Sequence, residues 1–226
     1  AGLEFPGNAL LAEFVGTMIF ATFGAVVPQG PLGNGILLAV LVYITAGESG
    51  GHLNPAVSLG FLITGKQKVM ESVSYMGAQI VGAIVGAGLT SLLCQVAPFG
   101  GEGPGCFHSD KGIISILSWE FAMAFLLVAV IFGIAVNPKA SQFSSAAPMV
   151  IGLALFIGAS AGAEYTGASV NPARTIGPAV IYLCHWDQAL FYIVAEFLGG
   201  AVGAALMYFV FVRKNEGYTE PEKAVQ

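Results

Sequence analysis

The sequence predicts an all-α membrane protein in which six transmembrane helices and two re-entrant half-helices form an inverted repeat. Three observations carry this. First, of the 226 residues 56% are hydrophobic and only 9% charged, whereas an ordinary soluble domain has about 25% charged residues. The mean hydropathy is +0.79, too apolar for a water-facing surface. Second, the apolar residues run in long unbroken stretches. Six of these approach the roughly 20 residues that a bilayer crossing needs as a helix, and none shows the alternation of a membrane β-strand. Third, the chain repeats itself at one fixed offset.

The first span runs from about Asn8 to Val27 and stops at Pro28. It has no basic segment before it and contains Glu13, so it reads as a retained span rather than a cleaved signal. The second covers about Leu32 to Gly47, and the third about Met70 to Ala97. A polar, Gly-rich loop, Gly100 to Lys111, leads to the fourth span, about Gly112 to Val136, which Asn137-Pro138 ends. The fifth covers about Ala146 to Ala163, the sixth about Ala189 to Val212, and a charged tail follows. Pro and Gly at these ends are ordinary helix stops. Two apolar segments, Asn54 to Thr64 and Asn171 to Cys184, are too short to cross. Each opens Asn-Pro-Ala, and Asn is a good N-cap while Pro suits the first helical turn. Each is therefore read as a short helix starting at its Asn.

The repeat relates Asn54-Pro55-Ala56 to Asn171-Pro172-Ala173 at an offset of 117, and Gly50 to Gly167. At the same offset Tyr75, Ala78, Gly82, Gly86 and Ala87 match Tyr192, Ala195, Gly199, Gly203 and Ala204. Near the starts of the halves Glu13-Phe14 answers Glu120-Phe121. The first repeat spans residues 1–105, the second 106–213, and a tail 214–226 completes a single domain. Three spans per half is an odd number, so the second half is inverted and function is expected where the halves meet in mid-membrane. Lys66, Lys68, Lys139, Arg213, Lys214 and Lys223 fall on one side and Lys111 on the other. The positive-inside rule makes the first side cytoplasmic, with both termini there. The plasma membrane is favoured, with an internal membrane as the alternative.

Composition excludes several classes. A net charge of −5 without a basic stripe predicts no nucleic-acid partner. Three cysteines, Cys94, Cys106 and Cys184, are an odd count without regular spacing, which argues against a disulfide framework. Cys106 and His108 alone make a poor metal site, so no metal and no cofactor are expected. No nucleophile–base pair or ligand cluster supports an enzyme. A secondary transporter also uses inverted repeats and broken helices, but it usually needs a coupling carboxylate where this motif offers neutral Asn.

Two half-helices entering from opposite faces can meet end to end. Their first N–H groups have no helical partners, and each N-terminus adds about +0.5 charge. The result is a positive centre that repels cations and protons while the Asn54 and Asn171 amides offer donors to a neutral cargo. Gly50, Gly51 and His52, and Gly167, Ala168 and Ser169, precede the two motifs and must be non-helical. Irregular backbone at membrane depth is tolerated where it lines a cavity or is buried in protein, so their carbonyls are candidates for the pore lining. Arg174 is the one basic residue placed within the membrane, a functional candidate by default, with a structural ion pair as the alternative.

The paired Asn-Pro-Ala motifs, with Ser49-Gly50-Gly51-His52 before one and Arg174 after the other, resemble the aquaporin (major intrinsic protein) family over nearly the whole chain. The resemblance implies a passive channel for water and small neutral solutes, sitting in the lipid bilayer as a homotetramer with one pore per subunit. It implies a selectivity filter at Asn34, Ala159, Ala168 and Arg174, with Gly158 or Ser160, neither of them large, as alternatives to Ala159. The water-selective pattern has an aromatic and a His where Asn34 and Ala159 stand, so a wider opening is expected. Thr175 and Ala179 follow the water-channel pattern rather than the glycerol one. The alternative is a glycerol- or ammonia-conducting aquaglyceroporin-like channel; a junctional membrane protein is a further, weaker one. The resemblance also implies that Glu13 and Glu120 brace the re-entrant loops. Ala168 replaces a mercury-reactive Cys, leaving Cys184 as the residue that could still react. His52 reads as packed, His185 as exposed, and Gly82/Gly86 and Gly199/Gly203 as internal packing positions. Glu196, which matches Gln79, reads as protonated or buried at a subunit contact. Ser141, Ser144, Ser145 and Thr219 are candidate phosphorylation sites.

Overall fold

A computed structural model describes residues 7–217; Lys223, Thr219 and most of the tail lie outside the described residues. The elements are α1 (Gly7–Gly24), α2 (Gly30–Ser49), α3 (Pro55–Ile63), α4 (Val69–Cys94), α5 (Ile113–Ile131), α6 (Ala147–Thr166), α7 (Pro172–Tyr182) and α8 (Trp186–Met207). Among the described residues, six helical stretches are long and apolar enough to cross a membrane, and α3 and α7 are the two short ones.

Boundaries shift from the sequence reading for local reasons. α1 ends at Gly24 rather than Val27, because the N–H groups of Val26 and Val27 both donate to the Phe23 carbonyl and close a turn. α4 ends at Cys94 rather than Ala97, where Gln95 takes a left-handed conformation (φ 56°) as the cap. The fifth span gains a 3₁₀ segment, Pro138–Ala146, before α6. A π-helical turn, Phe132–Val136, extends α5.

The helices pair as α1 with α4, α5 with α8, and α2 with α6. Glycine makes the first two pairings close. A Cβ on Gly82 or Gly86 would strike the Phe14 or Met18 carbonyl of α1, and one on Gly199 the Phe121 carbonyl of α5. Small residues let backbones approach in this way, so these glycines serve packing within the chain. Gly35 and Gly152 are related by the 117-residue offset and face each other between α2 and α6. A Cβ on Gly35 would lie 2.6 Å from the Gly152 carbonyl oxygen.

The burial pattern suits lipid as solvent. Leu11, Ile44, Val73, Ile114, Ile157 and Leu190 lie exposed on the outside of the bundle. Glu13, Gln79, Glu120 and Glu196 are fully buried inside it. Carboxyl groups at such depth are costly unless the protein supplies donors, and those donors come from the broken backbone described next.

Candidate functional site

Each half-helix is launched by the same backbone sequence. Gly50 (φ 87°) and Gly167 (φ 78°) end α2 and α6 in the left-handed region. Gly51 (φ 65°) and Ala168 (φ 56°) follow, then Leu53 (φ 50°) and Val170 (φ 59°). These three pairs share the 117-residue offset. Positive φ at Leu53 and at β-branched Val170 is unfavourable and persists only where the surroundings over-determine it.

Glu13 and Glu120 supply that constraint. Glu13 Oε1 accepts from His52 N (2.9 Å) and Ser49 Oγ (2.6 Å). Its Oε2 accepts from Leu53 N and Gln79 Nε2 (2.6 and 2.7 Å). Glu120 Oε1 accepts from Thr166 Oγ1 (2.6 Å) and Ser169 N (3.1 Å), and Oε2 from Val170 N (2.7 Å). Tyr75 and Tyr192 complete the symmetry by donating to the Ser49 and Thr166 carbonyls. Glu196 is buried within the subunit rather than at a contact between subunits. Its Oε1 accepts from Asn171 N and Thr175 Oγ1, each at 3.1 Å.

The half-helix tips meet. Asn54 Oδ1 accepts from Ala56 N and Asn171 Oδ1 from Ala173 N, both at 2.9 Å, so each Asn caps its own helix. Asn54 Nδ2 donates to the Val170 carbonyl (2.9 Å) and Asn171 Nδ2 to the Leu53 carbonyl (2.8 Å). Each half thus holds the other. An amide nitrogen carries two hydrogens, and the crossed bond uses one of them, leaving one per Asn for a passing acceptor. Pro55 and Pro172 occupy the first helical positions behind these caps, and Ala56 and Ala173 are fully buried.

Two adjoining cavities lie beside these tips, called inner and outer by the sidedness that the basic residues predict. Gly50, Gly51, His52, Asn54, Ser169 and Asn171 line the inner one. Asn34, Ala159, Gly167, Ala168 and Phe107 line the outer one. Leu155 and Arg174 belong to both linings, which puts the neck between the cavities at their level. Arg174 is 6% exposed. Its Nη1 donates to the Ser169 carbonyl (3.2 Å), and among the described residues no carboxylate forms an ion pair with it. Its guanidinium instead lies near two rings, 4.8 Å from the Phe20 centroid and 5.4 Å from that of Phe107. Aromatic faces attract a desolvated cation by up to about 2 kcal/mol.

Asn34 Nδ2 donates to the Gly24 and Gly30 carbonyls (3.1 and 2.9 Å). Its Oδ1 is left as an acceptor without a partner among the described residues. His52 packs against Phe61 (centroids 4.2 Å apart), with Nδ1 3.1 Å from Ser58 Oγ.

Two expectations need correction. Cys106 and Cys184 form a disulfide; an odd count excludes complete pairing, not one bridge, and the unpaired residue is Cys94. Cys184 is therefore not a free thiol. His185 is half-buried rather than exposed. Its side chain is 23% exposed, with Nε2 3.0 Å from Glu102 Oε1 and its ring stacked on that of His108. Phe20 and Phe107 escaped the sequence reading. Phe20 lies seven residues after Glu13, two turns along the same helix face, a usable signal. For Phe107 no such signal exists.

An α-helical membrane bundle whose inverted halves join through crossed, Asn-capped half-helices beside two adjoining cavities has the architecture of a channel. The chain belongs to the major intrinsic protein family, whose profile matches residues 4–208, and it is an aquaporin-family channel. It is 33% identical to aquaporin-4 of Rattus norvegicus over 90% of this chain and 67% of that protein. It is 35% identical to probable aquaporin PIP2-8 of Arabidopsis thaliana over 90% of this chain and 81% of that protein. In fold it is similar to the crystal structure of the aquaglyceroporin from Plasmodium falciparum, with a TM-score of 0.79 and 20% identity, over 95% of this chain and 100% of that one.

Proposed function

We propose that this channel passes water as its main cargo, together with small neutral solutes, and excludes protons and ions. The observation that carries the reading is the crossed Asn54–Val170 and Asn171–Leu53 pair, which leaves one amide hydrogen per Asn at the meeting point of two helix N-termini. A water oxygen can accept both donors there. Its own hydrogens are then turned away from its neighbours, which interrupts proton hopping, and the two positive helix ends repel cations. Arg174, Asn34, Ala159 and Ala168 form the filter in this reading, and Arg174 adds a fixed positive charge at the neck. Glu13 and Glu120 brace the loops. Thr175 and Ala179, which follow the water-channel pattern, support water over glycerol; the Thr175 hydroxyl is engaged within the protein by Ser169 (2.7 Å) and Glu196.

The small side chains at Asn34, Ala159 and Ala168 favour a second reading, a channel that also conducts glycerol. Stopped-flow light scattering on proteoliposomes distinguishes the two. Water permeability well above that of protein-free vesicles, with slow glycerol entry, is the expected result. Glycerol flux as fast as water flux would overturn the preference for water.

The subunit works as a homotetramer with both termini in the cytoplasm, preferentially in the plasma membrane. The disulfide supports the orientation: it lies on the side opposite the Lys- and Arg-rich segments, the side where an oxidising compartment would be met.

A further inference from the structure

We infer that Phe107 is a specificity-determining residue of the filter, and that the Cys106–Cys184 disulfide positions it. The inference rests on the filter proposed above and deepens it.

The helices supply no aromatic side chain at Asn34, Ala159 or Ala168. The loop between α4 and α5 supplies one. Residues 103–107 thread into the outer mouth through a run of close contacts. A Cβ on Gly103 would lie 2.5 Å from the Tyr182 ring, and one on Gly105 would lie 3.1 Å from Pro178 and 3.3 Å from Ala25. Phe107 then meets the filter itself. Its ring faces the Arg174 guanidinium, and its Cδ1 is 3.0 Å from where a Cβ on Gly167 would stand. It lines the same cavity as the three small filter positions. Arg174 thus has two aromatic neighbours, Phe20 of α1 and Phe107 of the loop.

The disulfide is what fixes this placement. The loop is otherwise tied at its ends, by Phe99 N to the Ile181 carbonyl (2.9 Å) and Gly101 N to the Tyr182 carbonyl (2.8 Å), and by Ser109 N to Gln188 Oε1 (2.8 Å). Between these ties Cys106, the residue next to Phe107, is bonded to Cys184, two residues beyond the end of α7. Phe107 and Arg174 therefore belong to one covalently closed unit. Reduction by a dithiol, which takes up the disulfide as two thiols and is itself oxidised to a disulfide, would free the Phe107 arch while the end ties keep the loop attached.

The test is the glycerol-to-water permeability ratio of the full chain in proteoliposomes, with each variant checked for an unchanged elution profile in detergent. Phe107→Ala should raise the ratio about tenfold, the factor expected when a barrier falls by about 1.4 kcal/mol, and Phe107→Trp should restore it. Cys106→Ser/Cys184→Ser, and dithiothreitol on the parent chain, should raise the ratio in the same direction, with no further rise when dithiothreitol is added to Phe107→Ala. Ala159→Trp separates the levels of the argument. If it blocks water flux while Phe107→Ala leaves the ratio unchanged, the filter stands and the inference about Phe107 falls. If Ala159→Trp leaves water flux intact, the filter reading itself fails. A ratio unmoved in the double Ser variant overturns the role of the disulfide.

Discussion

Replacing Glu120 with Gln tests how the second re-entrant loop is held. Glu120 is fully buried and accepts three hydrogen bonds, with the Ser169 and Val170 N–H groups on different oxygens. Gln keeps one acceptor oxygen and turns an NH₂ toward the other site, so one backbone donor faces another donor. Leaving a buried donor unsatisfied costs about 1–3 kcal/mol. Hydrogen bonds within membrane proteins average about 0.6 kcal/mol in direct measurements, which puts the expected loss near 1–2 kcal/mol. The loss falls on Val170, whose positive φ is already unfavourable, so the loop should loosen before the bundle unfolds. Thermal aggregation in detergent and water permeability in vesicles read the two effects. Glu120→Gln should lower the melting temperature and the permeability together, while the exposed control Glu164→Gln changes neither. A Glu120→Gln protein matching the parent in both would refute the reasoning.

Further expectations follow from other contacts. Asn34→Phe removes two hydrogen bonds to the Gly24 and Gly30 carbonyls and fills the outer cavity; it should cost about 1–2 kcal/mol of stability and lower glycerol flux more than water flux, and equal flux ratios would contradict this. Gly82→Val places a branched side chain against the Phe14 carbonyl; the yield of folded protein by size-exclusion chromatography should collapse, and a normal yield would show that α1 and α4 can separate. Ala168→Cys adds a thiol to the outer cavity and should make water flux sensitive to mercury, whereas the parent, whose free described cysteine is Cys94, should resist it. Glu216 pairs with Lys66 at 2.5 Å. Hydrogen bonds first from Lys66 and then from Tyr208 hold its carboxyl below the ordinary carboxylate range. A group whose pKa is lowered by docking favours the docked state above its ordinary value and loses that contribution as pH falls through the lowered one. Protection from hydrogen exchange at residues 213–217, taken relative to the intrinsic rate at each pH, should therefore fall on acidification, and Glu216→Gln should remove that fall; an identical loss of protection in the variant would sink this.

The sequence makes the frame readable because the repeat is written in side chains that the backbone requires. Asn54 and Asn171 cap helices, Gly50 and Gly167 end them, and Gly82 and Gly199 permit close approach, so pattern and physics coincide. Gly35 and Gly152 carry the same offset and mark the contact between α2 and α6, a match readable in hindsight. Helix ends were less legible: Val26 and Val27 look like more of α1, and only their shared bond to the Phe23 carbonyl reveals the turn. Glu196 acquires meaning once Asn171 and Thr175 are seen to donate to it. The outer mouth was least legible. Its disulfide joins residues 78 apart, and the ring that faces Arg174 comes from a loop whose path no periodicity specifies.

The reading of this chain as a proton-tight water channel is tested most directly by osmotic water permeability measured together with proton leak, in vesicles containing the purified protein and a pH-sensitive dye. It predicts water flux at least about tenfold above protein-free vesicles, a factor that about 1.4 kcal/mol of barrier lowering would produce, with proton leak unchanged. Folded protein that leaves water flux at the protein-free level, or that passes protons along with water, would contradict it.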